Sequence, residues 1–159
     1  MPKLMVVFFG AENLASTLAE AAWEGARAVR FMEADIRAGS PQEPITERRH
    51  QAIDTAERLF DYDAIVFSAP AAGKMPADLD ALLAALEQRQ PADAYAHTVF
   101  AVVGGENTLL AQRVLRLGGI MVSEPRGIDD PIARARKTGH RAAHLVEWIR
   151  HARSHQHHH

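Results

Sequence analysis

The residues best suited to chemistry form a short turn near the amino terminus. In "VVFFGAENLASTLAEAA" an apolar run ends at a glycine, and a helical pattern begins within a few residues. The turn consists of Gly10, Ala11, Glu12, Asn13, Leu14 and Ala15. Free amides and the dipole at the start of a helix attract anions such as a phosphate, and asparagine tolerates the left-handed backbone that shapes such turns. The turn is therefore a candidate anion site.

One residue of this turn opposes that interpretation. Glu12 would repel a phosphate unless its side chain points away. Two unit charges about 4 Å apart repel by about 4 kcal/mol at an effective dielectric of ~20, whereas an exposed helix end returns only about 0.3–1 kcal/mol. The alternative is a tight strand-to-helix turn capped by Asn13. We expect a weakened phosphate site.

A second candidate is a loop of small residues that follows another apolar run. The loop consists of Pro70, Ala71, Ala72, Gly73, Lys74 and Met75. Small residues let a flat ring approach the backbone, whose amides can bond its heteroatoms. Lys74 could offset the charge of an anion or remain in solvent. The alternative is a plain loop that ends at Pro76.

A third candidate is the glycine-rich turn "VVGGENT", which contains Gly104 and Gly105. Its amides could face a ring or a phosphate. The alternative is structural, because Glu106 and Asn107 are favourable residues for the first turn of a helix.

The sequence gives less support to a metal site or to a catalytic nucleophile. His140, His144, Glu147 and His151 lie within about 60° of one another on a helical wheel, as transition-metal ligands could. They lie opposite the apolar residues of the same helix, where a polar face is the default, so we expect no metal site. The chain has no cysteine, and no serine, histidine and acid arrangement is visible.

The elements that must position these turns alternate along the chain. The apolar pattern predicts strands near residues 3–9, 27–32, 63–68, 97–103 and 119–123, and a surface loop at 34–46. Five helices follow the strands, among them 47–60, 77–89 and 130–153. Such alternation predicts an α/β three-layer sandwich with a five-stranded parallel sheet of order 2-1-3-4-5, the flavodoxin-like arrangement. The three candidate turns then meet at the carboxyl edge of the sheet.

Bulk properties limit the partners. The 159 residues and the formal charge of −2 suit a single domain, here residues 1–153, and favour neither nucleic acid nor an anionic membrane. No apolar run reaches the roughly 18 residues of a membrane span. Residues 154–159 resemble part of a histidine tag. We expect a cytoplasmic protein that forms a homo-oligomer.

Nearly the whole chain resembles the flavodoxin-like NAD(P)H:quinone oxidoreductases of the tryptophan-repressor-binding-protein type. The likeness begins at "KLMVVFFG" and "LAEAAWEGA", and is strongest at "YDAIVFSAPAAGKMPADLDALL". "GGIMVSEP" and "ARKTGHRAAHLVEWI" are similar to the last strand and the last helix of that family. The resemblance implies a bound FMN that carries hydride from NAD(P)H to a quinone.

The turns depart from the pattern of that family. Asn13 stands where the family has a glycine, and Gly10 and Glu12 replace hydroxyl side chains, of which Thr17 alone is kept. In the loop that would face the flavin ring, Ala71, Ala72 and Gly73 replace polar and aromatic residues, while Lys74-Met75 keeps the end of the pattern. Three functions therefore stay open: an FMN-dependent oxidoreductase, a flavodoxin-like domain that has lost FMN and acts as a binding or assembly protein, or a plain flavodoxin-type electron carrier. The basic residues Arg27, Arg30 and Arg37 argue against the electron carrier, because such carriers often have a strongly acidic surface.

Overall fold

Five parallel strands form the centre of the protein. The computed structural model describes residues 1–9, 13–39, 56–69, 75–104 and 108–156. The strands are β1 (Lys3–Phe8), β2 (Glu33–Ala38), β3 (Ala64–Ser68), β4 (Val99–Val103) and β5 (Ile120–Val122). The helices are α1 (Asn13–Arg27), α2 (Ala77–Glu87), α3 (Thr108–Leu115) and α4 (Pro131–Gln156), with a 3₁₀ turn at Ala56–Leu59.

The strand order confirms the sequence prediction. The sheet runs β2-β1-β3-β4-β5, and every neighbouring pair is parallel. The register sets Phe8 opposite both Ala38 and Ser68, and Ser68 opposite Val103. The carboxyl ends of the three central strands therefore lie side by side.

Two apolar cores cover the two faces of the sheet. Along β1, Leu4, Val6 and Phe8 belong to one core, whereas Met5 and Val7 belong to the other. This is the period-2 alternation of a strand that is buried on both faces. The first core includes the buried faces of α1 and α4, and the second includes those of α2 and α3. The molecule is thus the three-layer sandwich that the sequence predicts.

Helices α1 and α4 approach each other at two glycines. A Cβ placed on Gly139 would lie 1.9 Å from the carbonyl oxygen of Ala22. A Cβ placed on Gly25 would lie 1.9 Å from the carbonyl oxygen of Arg136. Both distances are far below van der Waals contact, so only glycine permits the observed helix spacing.

The second strand lies further along the chain than the sequence predicted. The prediction placed it at residues 27–32 and a loop at 34–46, but β2 spans Glu33–Ala38. Helix α1 instead continues to Arg27, and a turn follows in which Phe31 has a φ of +66°. Val29 and Met32 are buried from this turn. The apolar pattern assigned these two residues to a strand. In the structure they instead pack against the core at the end of α1.

Smaller differences concern element ends. The helix predicted at 47–60 lies outside the described residues up to residue 55, and its end forms the 3₁₀ turn. The last strand is shorter than the predicted 119–123. The last helix runs on to Gln156, beyond the predicted end at residue 153. The described residues contain four α-helices, and the greater part of the fifth predicted helix lies outside them.

The two tyrosines of the chain hold neighbouring segments together through their hydroxyls. The Tyr62 hydroxyl donates to Oδ2 of Asp35 at 2.6 Å, and the Tyr95 hydroxyl donates to the carbonyl of Leu86 at 2.8 Å. Burial, followed by the hydrogen bond to Asp35, raises the pKa of Tyr62 well above its usual range. Burial also raises the pKa of Tyr95.

Candidate functional site

The carboxyl edge of the sheet is held by backbone hydrogen bonds beyond the strands. The amide of Phe9 donates to the carbonyl of Ser68 at 2.9 Å, so the pairing of β1 and β3 continues past Phe8. The amide of Gly39 donates to the carbonyl of Phe8 at 2.7 Å. These bonds fix the carboxyl end of β1, which immediately precedes the candidate anion-binding residues. In the order 2-1-3-4-5, β2 lies on one side of β1 and the later strands lie on the other. Open α/β sheets bind ligands at this switch point, outside the carboxyl ends of the strands, which we call the switch edge.

Ser68 fixes the start of α1 at this edge. Its side chain is fully buried, and its hydroxyl donates to the carbonyl of Ala15 at 2.7 Å. A buried hydroxyl costs free energy unless it is bonded, so this contact fixes the first turn of the helix relative to β3. The sequence pattern did not predict this role. The available signal was a serine at the last position of an otherwise apolar strand.

Gly104 ends β4 in a conformation that requires glycine. Its φ is +112°, and an added Cβ would lie 3.1 Å from the carbonyl oxygen of Ala69 and 3.7 Å from Cδ1 of Leu18. A side chain here would be both strained and crowded. Gly104 therefore brings the end of β4 close to β3 and to α1.

The amide of Gly104 is paired with a carboxylate from the next strand end. It donates to Oε1 of Glu124 at 3.1 Å, while Oε2 of Glu124 accepts from Nε of Arg134 at 2.6 Å. The two side chains are 18% and 26% exposed. Arg134 also donates to the carbonyl of Ile128 at 3.0 Å. The segment after β5 is thus tied to the end of β4 and to the first turn of α4.

Glu124 and Arg134 were not among the sequence-predicted site residues. An acid placed two residues after the last strand was a usable signal, since the carboxyl ends of parallel strands share one edge.

Only part of the predicted site falls within the described residues. Asn13 begins α1, Leu14 is 60% exposed, and Ala15 is buried. Met75 is half-buried just before α2, and Gly104 lies at the edge as predicted. The other predicted site residues lie outside the described part of the chain: Gly10, Ala11, Glu12, Pro70, Ala71, Ala72, Gly73, Lys74 and Gly105. The shallow pocket predicted between Ala11, Ala71 and Gly104 therefore stays a prediction.

A cleft of about 250 Å³ opens between α2 and α3. Its lining residues are Met75, Asp80, Leu109, Gln112, Arg113 and Arg116. Met75 is the predicted site residue that contributes to it. Across the cleft, Arg113 of α3 forms ion pairs with Asp80 and Glu87 of α2. The hydrogen bond with Asp80 raises the pKa of the Arg113 guanidinium above its usual range.

The histidine face of α4 forms a chain of ring contacts. The His140 and His144 ring centroids are 5.8 Å apart, and His144 meets Trp148 edge-on at 5.0 Å. Within the described ranges, no three or more histidine, aspartate or glutamate side chains are grouped so that they could hold a metal ion. The same ranges contain no helix that is both long and apolar enough to cross a membrane.

The described residues fit the phosphate end of an FMN better than its ring. Helix α1 starts at the switch edge and has no acidic residue in its first turn, which suits an anion. At the other end of the edge, however, the amide of Gly104 is already bonded to Glu124.

Comparisons with known proteins support the fold. No protein-family model and no curated protein sequence matches this chain. Three similar solved structures illustrate the likeness. A flavodoxin of Streptococcus pneumonia TIGR4 is 11% identical, with 89% of this chain and 98% of that chain covered and a TM-score of 0.65. A short-chain flavodoxin associated with a non-canonical PDU bacterial microcompartment is 14% identical, with 92% and 99% covered and a TM-score of 0.67.

The third structure is an NAD(P)H:quinone oxidoreductase from Methanothermobacter marburgensis. It is 14% identical, with 90% of this chain and 98% of that chain covered and a TM-score of 0.51. Identities this low support a shared fold and carry no information about individual side chains. The strand order, the parallel pairing and these neighbours together establish that the chain has the flavodoxin-like fold.

Proposed function

We propose that the protein is an FMN-dependent NAD(P)H oxidoreductase that acts on quinones or similar acceptors. The observation that carries the proposal is the fixed position of the α1 start at the switch edge, where Ser68 Oγ bonds the carbonyl of Ala15. The resemblance of the chain to quinone oxidoreductases and the flavodoxin neighbours support the same proposal. Bound FMN would accept a hydride and pass two electrons to the acceptor.

In this proposal the residues of the chain bind and orient the cofactor. The start of α1 attracts the phosphate, together with the amides of Gly10, Ala11 and Glu12. The flavin ring would contact the backbone of Pro70, Ala71, Ala72, Gly73, Lys74 and Met75. Gly104 and Gly105 would also contact the ring, because glycine lets backbone come close to a ligand. We also propose that the protein forms a homo-oligomer and is located in the cytoplasm.

The second candidate function is a flavodoxin-like domain that has lost FMN and serves as a binding or assembly protein. One observation favours it. The Gly104 amide, a donor at the ligand edge, already donates to Glu124, and Arg134 holds that carboxylate in place. A ligand that used this amide would have to displace a charge-assisted contact, which costs about 1.5–3 kcal/mol.

Flavin titration separates the two functions. The purified protein, freed of any bound ligand, is titrated with FMN and with riboflavin while flavin fluorescence is recorded. Riboflavin is the matched control because it has the same ring without the phosphate. The proposal predicts micromolar FMN binding, about −8 kcal/mol, and riboflavin binding that is weaker by less than about tenfold, because Glu12 weakens the phosphate site.

The activity test follows on the FMN-loaded protein. NADH and NADPH oxidation is measured with and without 1,4-benzoquinone, and free FMN at the same concentration is the background control. Quinone-dependent oxidation above that background supports the enzyme. Absence of FMN binding at millimolar concentration overturns the enzyme proposal and favours the second function. Light scattering on the same sample reports the oligomeric state.

A further inference from the structure

The cleft between α2 and α3 has features of a binding site that does not depend on a flavin. Its walls come from two helices of the same face of the sheet, and its residues are described throughout. The edge contacts of Gly104 do not use it, and the proposed flavin site shares with it only Met75, through the backbone of that residue. Its volume of about 250 Å³ exceeds that of a cavity of about 150 Å³ that is known to hold benzene. One substituted aromatic ring would therefore fit.

Ion pairs hold the two walls in fixed positions. Nε of Arg113 lies 3.1 Å from Oε1 of Glu87, and Asp80 pairs with the same guanidinium. Nη1 of Arg113 also lies 3.8 Å from the sulfur of Met75. One cation of α3 thus contacts three side chains from the other wall. A cleft that is ordered before a ligand arrives loses less entropy on binding.

The charges of the cleft favour one negative charge and disfavour two. Arg113 is offset by Asp80 and Glu87, so it offers little attraction to an anion. Arg116 lines the same cleft, is exposed, and makes no ion pair with another residue of the described chain. A ligand carboxylate could pair with that guanidinium. A dianion such as a phosphate monoester would be repelled by Asp80 and Glu87, whose two negative charges exceed the single positive charge of Arg113.

The apolar part of the cleft suits a ring. Leu109 lies at the start of α3 with 64% of its surface exposed, although leucine gains by burial. Met75 provides a half-buried, polarisable thioether that makes favourable contacts with aromatic rings. Gln112 lies one helical turn from Arg116 and supplies an amide for a second polar group.

We propose that this cleft binds a small aromatic monocarboxylate. The ring contacts Leu109 and Met75, and the carboxylate pairs with Arg116. The inference goes beyond the proposed function, since it requires neither FMN nor an electron acceptor. It rests on the size of the cleft, its two apolar side chains and Arg116, the cation of the cleft lining that forms no ion pair within the described residues.

The test is a titration followed by amide NMR on the flavin-free protein. Benzoate is the probe, and acetate, benzyl alcohol and inorganic phosphate are the comparison ligands. Acetate has the charge without the ring, benzyl alcohol the ring without the charge, and phosphate a second charge. We expect benzoate to shift the amides of Leu109, Gln112 and Arg116, with an affinity about tenfold higher than that of each comparison ligand.

Two variants and one control test the assignment. Arg116→Gln should weaken benzoate about tenfold and leave benzyl alcohol unchanged. Leu109→Ala should weaken benzoate and benzyl alcohol alike. Arg126→Gln, an exposed arginine of the segment after β5, should change neither. Equal affinity for benzoate and acetate, shifts confined to other residues, or equal effects of Arg116→Gln and Arg126→Gln would overturn the proposal. Each of these outcomes can be interpreted whether or not the protein binds FMN, because the titration uses the flavin-free protein.

Discussion

Gly139 of α4 lies so close to Ala22 of α1 that a Cβ on the glycine would come within 1.9 Å of the alanine carbonyl oxygen. Gly25 has the same relationship with Arg136, so two glycines set the distance between the helices that cover one face of the sheet. This spacing lets Ala142 and Val146 reach the core that also contains Val66.

Replacing Gly139 tests this packing. Gly139→Ala should lower the free energy of unfolding by about 1–3 kcal/mol, because the cost of overpacking against backbone exceeds the gain of about 1 kcal/mol that alanine brings to a helix. Urea unfolding followed by circular dichroism gives the value. Lys137→Ala, an exposed change on the same helix, should stay within about 0.5 kcal/mol of the parent. A stabilising Gly139→Ala would show that the helices can move apart without loss.

The contact between Glu124 and Gly104 leads to a graded prediction. Glu124→Ala removes the acceptor of the Gly104 amide and the partner of Arg134, and should cost about 1–3 kcal/mol of unfolding free energy. Glu124→Gln keeps an acceptor for the amide and should cost less. Chemical denaturation of both variants checks the order, with Glu147→Ala, an exposed acid of α4, as the control. If both Glu124 variants lose the same unfolding free energy, the ion pair with Arg134 accounts for the loss, and the hydrogen bond from the Gly104 amide does not.

A third prediction concerns the turn that follows β1. Glu12→Thr should tighten FMN binding by about tenfold, since it removes a repelling charge and adds a hydroxyl donor. Riboflavin, which lacks the phosphate, should bind the two forms equally. Titrations at low and moderate salt measure both ligands, and the gain should shrink as salt screens the charge. Tight FMN binding by the unaltered protein with no gain in Glu12→Thr would show that Glu12 faces solvent.

The two tyrosines predict a cooperative loss of structure in alkali. Both have pKa values raised in the folded state, against about 10 in the unfolded chain. A raised pKa means that the folded state binds the proton more tightly, so this part of the stability is complete below about pH 10 and is lost as the pH rises above it. Tyrosinate absorbance should therefore appear together with unfolding rather than before it.

The control for the alkaline titration is Tyr62→Phe. This variant loses the hydrogen bond to Asp35, which lowers stability near neutral pH by about 1 kcal/mol. Its stability should fall less steeply above about pH 10, since one shifted group is gone. Tyrosinate absorbance that rises with an ordinary midpoint while circular dichroism stays native would contradict the shared burial of the two hydroxyls.

The fold could be predicted largely because β1, β3 and β4 are buried on both faces. Continuous apolar runs between turn residues mark such strands, and their alternation with helices limits the topology. β2 was misplaced because it lies at the sheet edge, where Asp35 and Arg37 are half-buried and no continuous run forms. The apolar residues just before it, Val29 and Met32, close a helix end instead.

Less of the candidate site could be predicted from the sequence. Gly104 was found because a glycine after an apolar run marks a strand end. Glu124 and Arg134 were missed because their pairing depends on the separation of β4, β5 and α4 in space, which no local pattern encodes. The role of Ser68 likewise depends on where α1 passes over β3. The turns at residues 10–12, 70–74 and 105–107 lie outside the described residues, so their predicted roles stay predictions.

The direction of α4 has a practical consequence for biosensor construction. The helix begins near Glu124 at the carboxyl edge and extends to Gln156, passing Arg150, whose guanidinium lies 3.9 Å from Asp63 just before β3. Its last turns therefore project from the side opposite the candidate flavin edge. An electrode or bead linked through these turns would leave the carboxyl edge facing the bulk solution. Tethering through the residues after β5 would instead bring the solid support against that edge.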